Sequence, residues 1–326
     1  MNLAVGFFDG VHLGHQRILA HADAALTFTN HPATVFAPDR APRLLMTAEE
    51  RLAAISALGV GRVVACDFTP ALADQPARAF ADSLRQEFPD LDTVFCGPNW
   101  TFGAGGAGTA DTLRALGFNV TVVPFATWRG EPVSSTRIRA ALGEGDVSAA
   151  ATMLGRPFAA SGRIVPGKGA GRTIGFPTLN VVPTLGDLPL ARGVYAVDTP
   201  LGRGLANWGV APTMGARAWP SPVLEVHLLA APPTPPPATL RVTFTAFIRP
   251  ERAFESIDDL RDQIARDKQS VATGSTGEAA RPARALPSMQ GQNLGSIGRA
   301  AAPRPPLQSE ELGKPERPPA TSATAY

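Results

Sequence analysis

Two histidines three positions apart, His12 and His15, close the segment Gly6-Phe7-Phe8-Asp9-Gly10-Val11-His12-Leu13-Gly14-His15. The apolar run Leu3-Ala4-Val5-Gly6-Phe7-Phe8 before them reads as a buried strand that stops at Asp9-Gly10, so the pair falls where a helix should begin. Residues three apart on a first helical turn share a face. That turn also offers free N–H groups and the positive end of the helix dipole. Imidazole N–H donors there point at an anion, and Gly14 lets a nucleotide lie close to the backbone. The chemistry this suits is nucleotidyl transfer, where catalysis is mostly positioning and charge stabilisation and no covalent nucleophile is needed. Taken as four residues alone, the pair also fits a chance spacing in which His15 only caps or packs.

Three further groups have chemical potential. Ser134-Ser135-Thr136 open a helical pattern, Ser135 to Leu142, that carries Arg137 and Arg139. Hydroxyls at a helix start satisfy free N–H groups and arginine forks onto phosphate oxygens, although an ordinary capped surface helix has the same look. From Gly162 to Gly175 five glycines, Gly171 among them, flank Lys168 and Arg172. Such a loop can lie around a polyphosphate or simply turn. It is not a Walker loop, because the Gly-Lys-Ser/Thr ending onto a helix is absent. Finally, Glu225 and His227 share one face of the strand-like run Leu224 to Leu229. A carboxylate there can accept a hydroxyl proton during phosphoryl transfer, or sit solvated.

The elements that must hold these groups alternate through the first 142 residues. Strand-like runs are Leu3 to Phe8, Ala25 to Phe28, Val60 to Cys66, Thr93 to Cys96 and Val120 to Pro124; helical runs are Gly14 to Ala22, Thr47 to Leu58, Pro76 to Glu87 and Ala110 to Leu116. Thr47 and Glu50 have the spacing of a capping box. Alternation of this kind predicts an α/β domain with a doubly wound parallel sheet, whose ligands bind at the carboxyl ends of strands. A helix, Asp146 to Leu154, then bridges to a different pattern. Short strands between Gly and Pro turns (Gly162 to Val165, Val194 to Val197, Gly204 to Gly209, Leu224 to Leu229, Leu240 to Ile248) predict a small antiparallel β-barrel. A closing helix, Ile257 to Asp267, follows with Ser256 as N-cap. The expected organisation is therefore 1–145, a bridging helix in 146–160, a barrel domain over 161–268, and a disordered tail over 269–326 whose composition is rich in Pro, Gly, Ala, Ser and Arg.

A net charge of +2 does not argue for nucleic acid, and no 18-residue apolar run spans a membrane. No signal pattern opens the chain. Cys66 and Cys96 end strand-like runs and read as buried free thiols of a cytoplasmic protein. The five histidines have no zinc spacing, and nothing sets an oligomeric state.

On these residues the chain resembles the bifunctional bacterial riboflavin kinase and FAD synthetase family over roughly residues 3 to 268. The opening decapeptide is similar to that of the FAD synthetase module, a nucleotidyltransferase. The resemblance implies that Gly6, Phe8, Gly14, His12 and His15 surround the ATP phosphates. It adds His31 (in Thr29-Asn30-His31-Pro32), Asn99 (in Gly97-Pro98-Asn99-Trp100-Thr101-Phe102-Gly103), and Ser135 with Arg139 as pyrophosphate contacts. Gly175-Phe176-Pro177-Thr178-Leu179-Asn180 resembles the riboflavin kinase signature. It implies Thr178 and Asn180 as holders of Mg²⁺ and ATP phosphates, with Gly162, Lys168 and Gly171 in the loop beside them. Leu224-Glu225-Val226-His227 implies Glu225 as general base, and the Arg249-Pro250-Glu251 loop implies Arg249 on the product phosphate. Riboflavin, FMN, FAD and ATP would be the substrates and products. The chain departs from the family in having Asn30 for Pro, Asn99 for Asp, Trp100 for Phe, a short first helix and a proline-rich loop over Ala231 to Ala238. A kinase with a decayed first domain is the other enzymatic expectation, and a non-catalytic flavin binder the third.

Overall fold

The computed structural model describes residues 1–167, 171, 175–209 and 223–273; Lys168, Arg172 and the chain after 273 lie outside the described residues. Strands β1 (Asn2–Val5), β2 (Ala24–Phe28), β3 (Arg62–Cys66), β4 (Thr93–Cys96) and β5 (Asn119–Val122) form a parallel sheet in the order β3-β2-β1-β4-β5. Between them run α1 (Leu13–Leu19), the short α2 (Ala33–Phe36), α3 (Ala48–Ser56), the short α4 (Pro70–Ala73), α5 (Ala77–Glu87) and α6 (Ala110–Ala115). The inner strands β1 and β2 are buried on both faces because both faces are covered. Leu3 and Val5 of β1 pack with Leu84, Phe88 and Leu113 on one side, whereas Ala4 packs with Phe8, Ile18 and Ile55 on the other. The capping box on α3 is formed: Glu50 N–H donates to Thr47 Oγ1 and Thr47 N–H to the Glu50 carboxylate, both at 3.1 Å.

A two-stranded ribbon, β6 (Thr127–Trp128) and β7 (Glu131–Pro132), leads into α7 (Ser135–Gly143) and α8 (Val147–Leu154). Six antiparallel strands then close a barrel: β8 (Ala159–Val165), β9 (Leu179–Pro183), β10 (Gly193–Thr199), β11 (Gly202–Gly209), β12 (Val223–Leu228) and β13 (Thr239–Pro250), in the cyclic order β10-β11-β12-β9-β8-β13. Helix α9 (Ile257–Thr273) follows.

Three expectations are corrected. The first strand ends at Val5, not Phe8, because Phe8, Gly10 and Val11 all take left-handed φ (58°, 79° and 41°), which no strand accommodates. Strand β9 was not expected, since its five residues follow the glycine-rich run and begin within its Pro-Thr-x-Asn motif. Residues 269–273 continue α9 instead of starting a tail. The bridging segment is a helix, as expected from the sequence, and packs against both halves. Val147, Ala150, Met153 and Leu154 share one apolar cluster with Ile138 and Leu142 of α7 and with Phe158, Tyr195 and Phe244 of the barrel. At about 2 kcal/mol for each large buried side chain, that common core fixes the two halves together.

Candidate functional site

The first site grows from the turn after β1. His12 is the N-cap of α1, and its Nδ1 accepts from Gly14 N–H at 3.2 Å and His15 N–H at 3.4 Å. The helix start is thus not bare, as the spacing alone suggested: His12 consumes two of its N–H groups. An accepting Nδ1 leaves the proton on Nε2, so His12 is a donor by construction. A Cβ on Gly14 would stand 3.1 Å from the His12 ring, so glycine gives the imidazole its room. The His12 and His15 rings stack at 3.5 Å between centroids and 19° between planes. Burial pushes His12 down to about 4, and burial with the adjacent His12 and Arg51 pushes His15 well below the usual histidine range. Both are neutral donors at pH 7. His15 Nδ1 is buried without a partner.

Asp9, 3% exposed, organises the turn. Its Oδ1 accepts Leu45 N–H at 3.0 Å and its Oδ2 pairs with Arg139 at 2.8 Å, while its backbone carbonyl accepts the Ser135 hydroxyl at 2.9 Å. Burial raises the Asp9 carboxyl, against the pull of Leu45 N–H and Arg139. Ser135 and Arg139 sit at the start of α7, where Ser134 is the N-cap. Arg137 is structural: it donates to the carbonyls of Glu131 and Pro132 and faces Trp128. The strained Gly10-Val11 backbone is held from outside the turn. Arg156 donates to Gly10 O at 2.8 Å, and Gln16 Nε2 to Val11 O at 2.9 Å and Leu154 O at 3.0 Å.

His31 joins this group. Its Nδ1 accepts Ala33 N–H at 3.0 Å, its ring meets Phe7 edge-on at 4.7 Å, and burial together with Arg139 and Arg51 lowers its pKa. Asn30, the residue in place of proline, brackets Phe68 through N–H (2.8 Å) and carbonyl (3.0 Å) bonds. Asn99 is exposed in the turn after β4, and the Trp100 replacement is absorbed by stacking on Phe102 at 4.8 Å. Gly6 is tight against the Phe8 ring, and Phe8 is a core residue, 1% exposed, so its expected place beside a ligand is corrected.

The second site lies on the barrel wall. Glu225 stands directly opposite Asn180 on one neighbouring strand and Asn207 on the other. Facing side chains on paired strands lie within contact range on the same side of the sheet. Burial, and then Glu251, raises the Glu225 carboxyl; Asn207 Nδ2 donates to Glu251 Oε1 at 3.3 Å and Asn207 Oδ1 is buried without a partner. His227 Nδ1 lies 2.9 Å from Pro177 O and pins the segment that carries Thr178. A Cβ on Gly167 would occupy the place of the Asn180 amide, and one on Gly171 would meet Phe176 O and stand 3.3 Å from Thr178 Oγ1. Gly162 instead serves the sheet: a Cβ there would strike Val182 O on β9. Arg249, expected on a phosphate, is committed to Asp267 of α9 through Nε and Nη2, each at 2.9 Å.

Sequence reasoning missed Asp9, Arg51, Arg156 and Asn207. Asp9 had a signal, an acid interrupting an apolar strand. Arg51 had a fainter one, since it lies four residues before buried Ile55 on the face of α3 where an apolar residue belongs.

Comparison with known proteins matches residues 1–137 to the FAD synthetase family model and residues 154–273 to the riboflavin kinase family model. The chain is 35% identical over 286 residues to the bifunctional riboflavin kinase/FMN adenylyltransferase of Escherichia coli (strain K12), covering 82% of this chain and 90% of that one. It is 32% identical over 290 residues to the protein of the same name from Bacillus subtilis (strain 168), with the same coverages. A crystal structure from Streptococcus pneumoniae described as a macrolide-efflux protein superposes with a TM-score of 0.73 at 28% identity, covering 83% of this chain and 93% of that one. Among the described residues no helix is long and apolar enough to cross a membrane.

Proposed function

The chain belongs to the bifunctional riboflavin kinase/FMN adenylyltransferase family, an ATP-using enzyme of FMN and FAD biosynthesis, and we propose that its two halves work through the residues described above. In the kinase half, over 161–268 and onward to the end of α9, Glu225 accepts the proton of the ribityl 5′-hydroxyl. The freed oxygen attacks the γ-phosphorus of ATP, and ADP leaves. Its raised basicity suits that task. Thr178 and Asn180 offer hard oxygens; Asn180 stands directly opposite Glu225, and its amide packs where a Cβ at Gly167 would lie. This donor set fits Mg²⁺, which would supply charge neutralisation on the phosphates. Lys168, Gly171 and the glycine loop cradle the polyphosphate.

In the adenylyltransferase half, over 1–145, an FMN phosphate oxygen attacks the α-phosphorus of a second ATP and the bond to pyrophosphate breaks. His12 and His15 donate to the charge that develops there; Ser135 and Arg139 hold the departing pyrophosphate, with Gly6, Gly14, His31 and Asn99 lining the site. Residues 146–160 join the halves. Two free thiols suit a cytoplasmic setting, and small molecules, rather than nucleic acid, are the partners.

The observation that carries the two-activity assignment against a kinase-only enzyme is the meeting of Ser135 and Arg139, from the start of α7, on Asp9 inside the decapeptide. That assembly brings the decapeptide and the start of α7, the two motifs the adenylyltransferase reading needs, to one place. The test is incubation with riboflavin, Mg²⁺ and ATP, with flavins resolved by chromatography. FAD is the expected product, and FMN alone would refute the adenylyltransferase assignment. Glu225→Gln should abolish FMN formation yet leave FMN-to-FAD conversion intact; loss of both would show that the sites are wrongly separated.

A further inference from the structure

Arg51 is the most completely buried charge of the described residues, 0% exposed, and the chemistry above does not use it. Its Nη2 donates to the carbonyls of Phe28 and Thr29 at the carboxyl end of β2, the latter at 3.3 Å. Its guanidinium carbon lies 4.2 Å from the centroid of Phe7, whose edge meets His31. Nε and Nη1 are buried with no partner. A buried cation with two unused donors is expensive. A methionine would fill the same place on α3 at lower cost, so packing alone does not explain an arginine.

The charge balance around it points to its role. Asp9 is the carboxylate near it, and Asp9 is already paired with Arg139. Arg51 and Arg139 therefore confront one acid, leaving a positive surplus beside three histidines that burial keeps neutral. We propose that Arg51 is a positioning residue for adenylyl transfer: a fixed cation, packed on Phe7 of the decapeptide at the carboxyl end of β2, whose unbalanced charge is met by the phosphates of ATP and FMN. It does not touch them. It acts through a low-dielectric interior, where a fixed charge needs no reorganisation when the anion arrives.

The role rests on adenylyl transfer by this half, and the kinase half supplies an internal control for folding. Arg51→Met should lower kcat for FMN-to-FAD conversion by at least about tenfold, while FMN formation on the barrel stays within about twofold, as expected for distant sites. The acid limb of the FMN-to-FAD rate should also move up by about half a pH unit, because a charge near histidines holds their pKa down. The groups facing those histidines are His12 and Arg51 at His15, Arg139 and Arg51 at His31, and Arg156 and Arg139 at His12. Arg51→Lys keeps the charge and should restore the rate and the acid limb.

Unchanged FAD formation in Arg51→Met would overturn the proposal, as would a lower rate with an unmoved acid limb. If Arg51→Met loses both activities, Arg51→Lys decides. Recovery of FAD formation supports a charge role, and its failure assigns Arg51 to packing. Absence of FAD formation by the unaltered enzyme is a different failure, that of the adenylyltransferase assignment itself.

Discussion

At the residue scale, His12 combines three duties in one imidazole: it caps α1, stacks on His15 and presents Nε2–H. All three need the neutral ring, and burial enforces it. His12 is 5% exposed, and its pKa falls from 6.5 to about 4. A depressed histidine makes the folded state refuse a proton that the unfolded chain accepts, so stability is complete above the unfolded pKa and is lost as pH falls through that window. The loss reaches up to about 3 kcal/mol for this residue. Urea unfolding at pH 7 and pH 4.5 should show His12→Gln losing less stability on acidification than the unaltered chain. An equal loss in both would show that His12 does not carry the effect. Nothing in the sequence announced the stacking. The His-x-x-His spacing promised a shared face, but capping by His12 depends on its extended backbone (φ −72°, ψ 173°).

At the element scale, the turn from β1 into α1 is the most strained piece of backbone described. Val11 is a β-branched residue at φ 41°, a conformation that costs of order 1–3 kcal/mol and persists only where the surroundings over-determine it. Those surroundings come from four other segments: Leu45, Arg139, Gln16 and Arg156 all bond to Asp9, Gly10 or Val11. Gly10 illustrates the margin. It sits at φ 79°, like Gly130 at 80°, but a Cβ at Gly10 would approach Leu45 Cδ1 to 2.7 Å whereas one at Gly130 meets nothing. Both alanine variants carry the left-handed penalty of about 1 kcal/mol. Gly10→Ala should be destabilised by a further 1–3 kcal/mol or so from the clash and lose FAD formation; Gly130→Ala should keep it. Comparable unfolding midpoints for the two variants would contradict the tight packing of this turn.

At the scale of the whole molecule, the two halves are stitched through α3. The Glu50 carboxylate that completes the capping box also accepts Ser161 Oγ at 2.8 Å and Arg241 at 3.2 Å, both from the barrel. Arg156, just past α8, reaches back to the decapeptide. Glu50 and Arg51 are neighbours on one helix, one bonded to the barrel and the other packed on Phe7. Glu50→Ala should therefore cost about 2 kcal/mol, visible in calorimetry as a fall of roughly 4–8 °C in Tm. The adenylyltransferase half should unfold first. A single transition at the original temperature would mean that Glu50 does not couple the halves.

What the sequence by itself determined was the kind of each half and the family to which both belong. Period-2 and period-3.6 patterns are local properties, and motifs such as the decapeptide and Gly-Phe-Pro-Thr-x-Asn keep their residues within a few positions of one another. Arg249 shows the limit: its motif placed it near a ligand, yet a carboxylate on a helix outside that motif claims its guanidinium. Tertiary structure alone decided the partners that meet across long stretches of chain. Asp9 with Arg139, Glu225 between Asn180 and Asn207, Arg156 on Gly10, and Arg51 buried on Phe7 are of this kind. The reason is physical. A side chain's periodicity tells which way it faces, but burial, pairing and pKa depend on what the rest of the fold brings to that face.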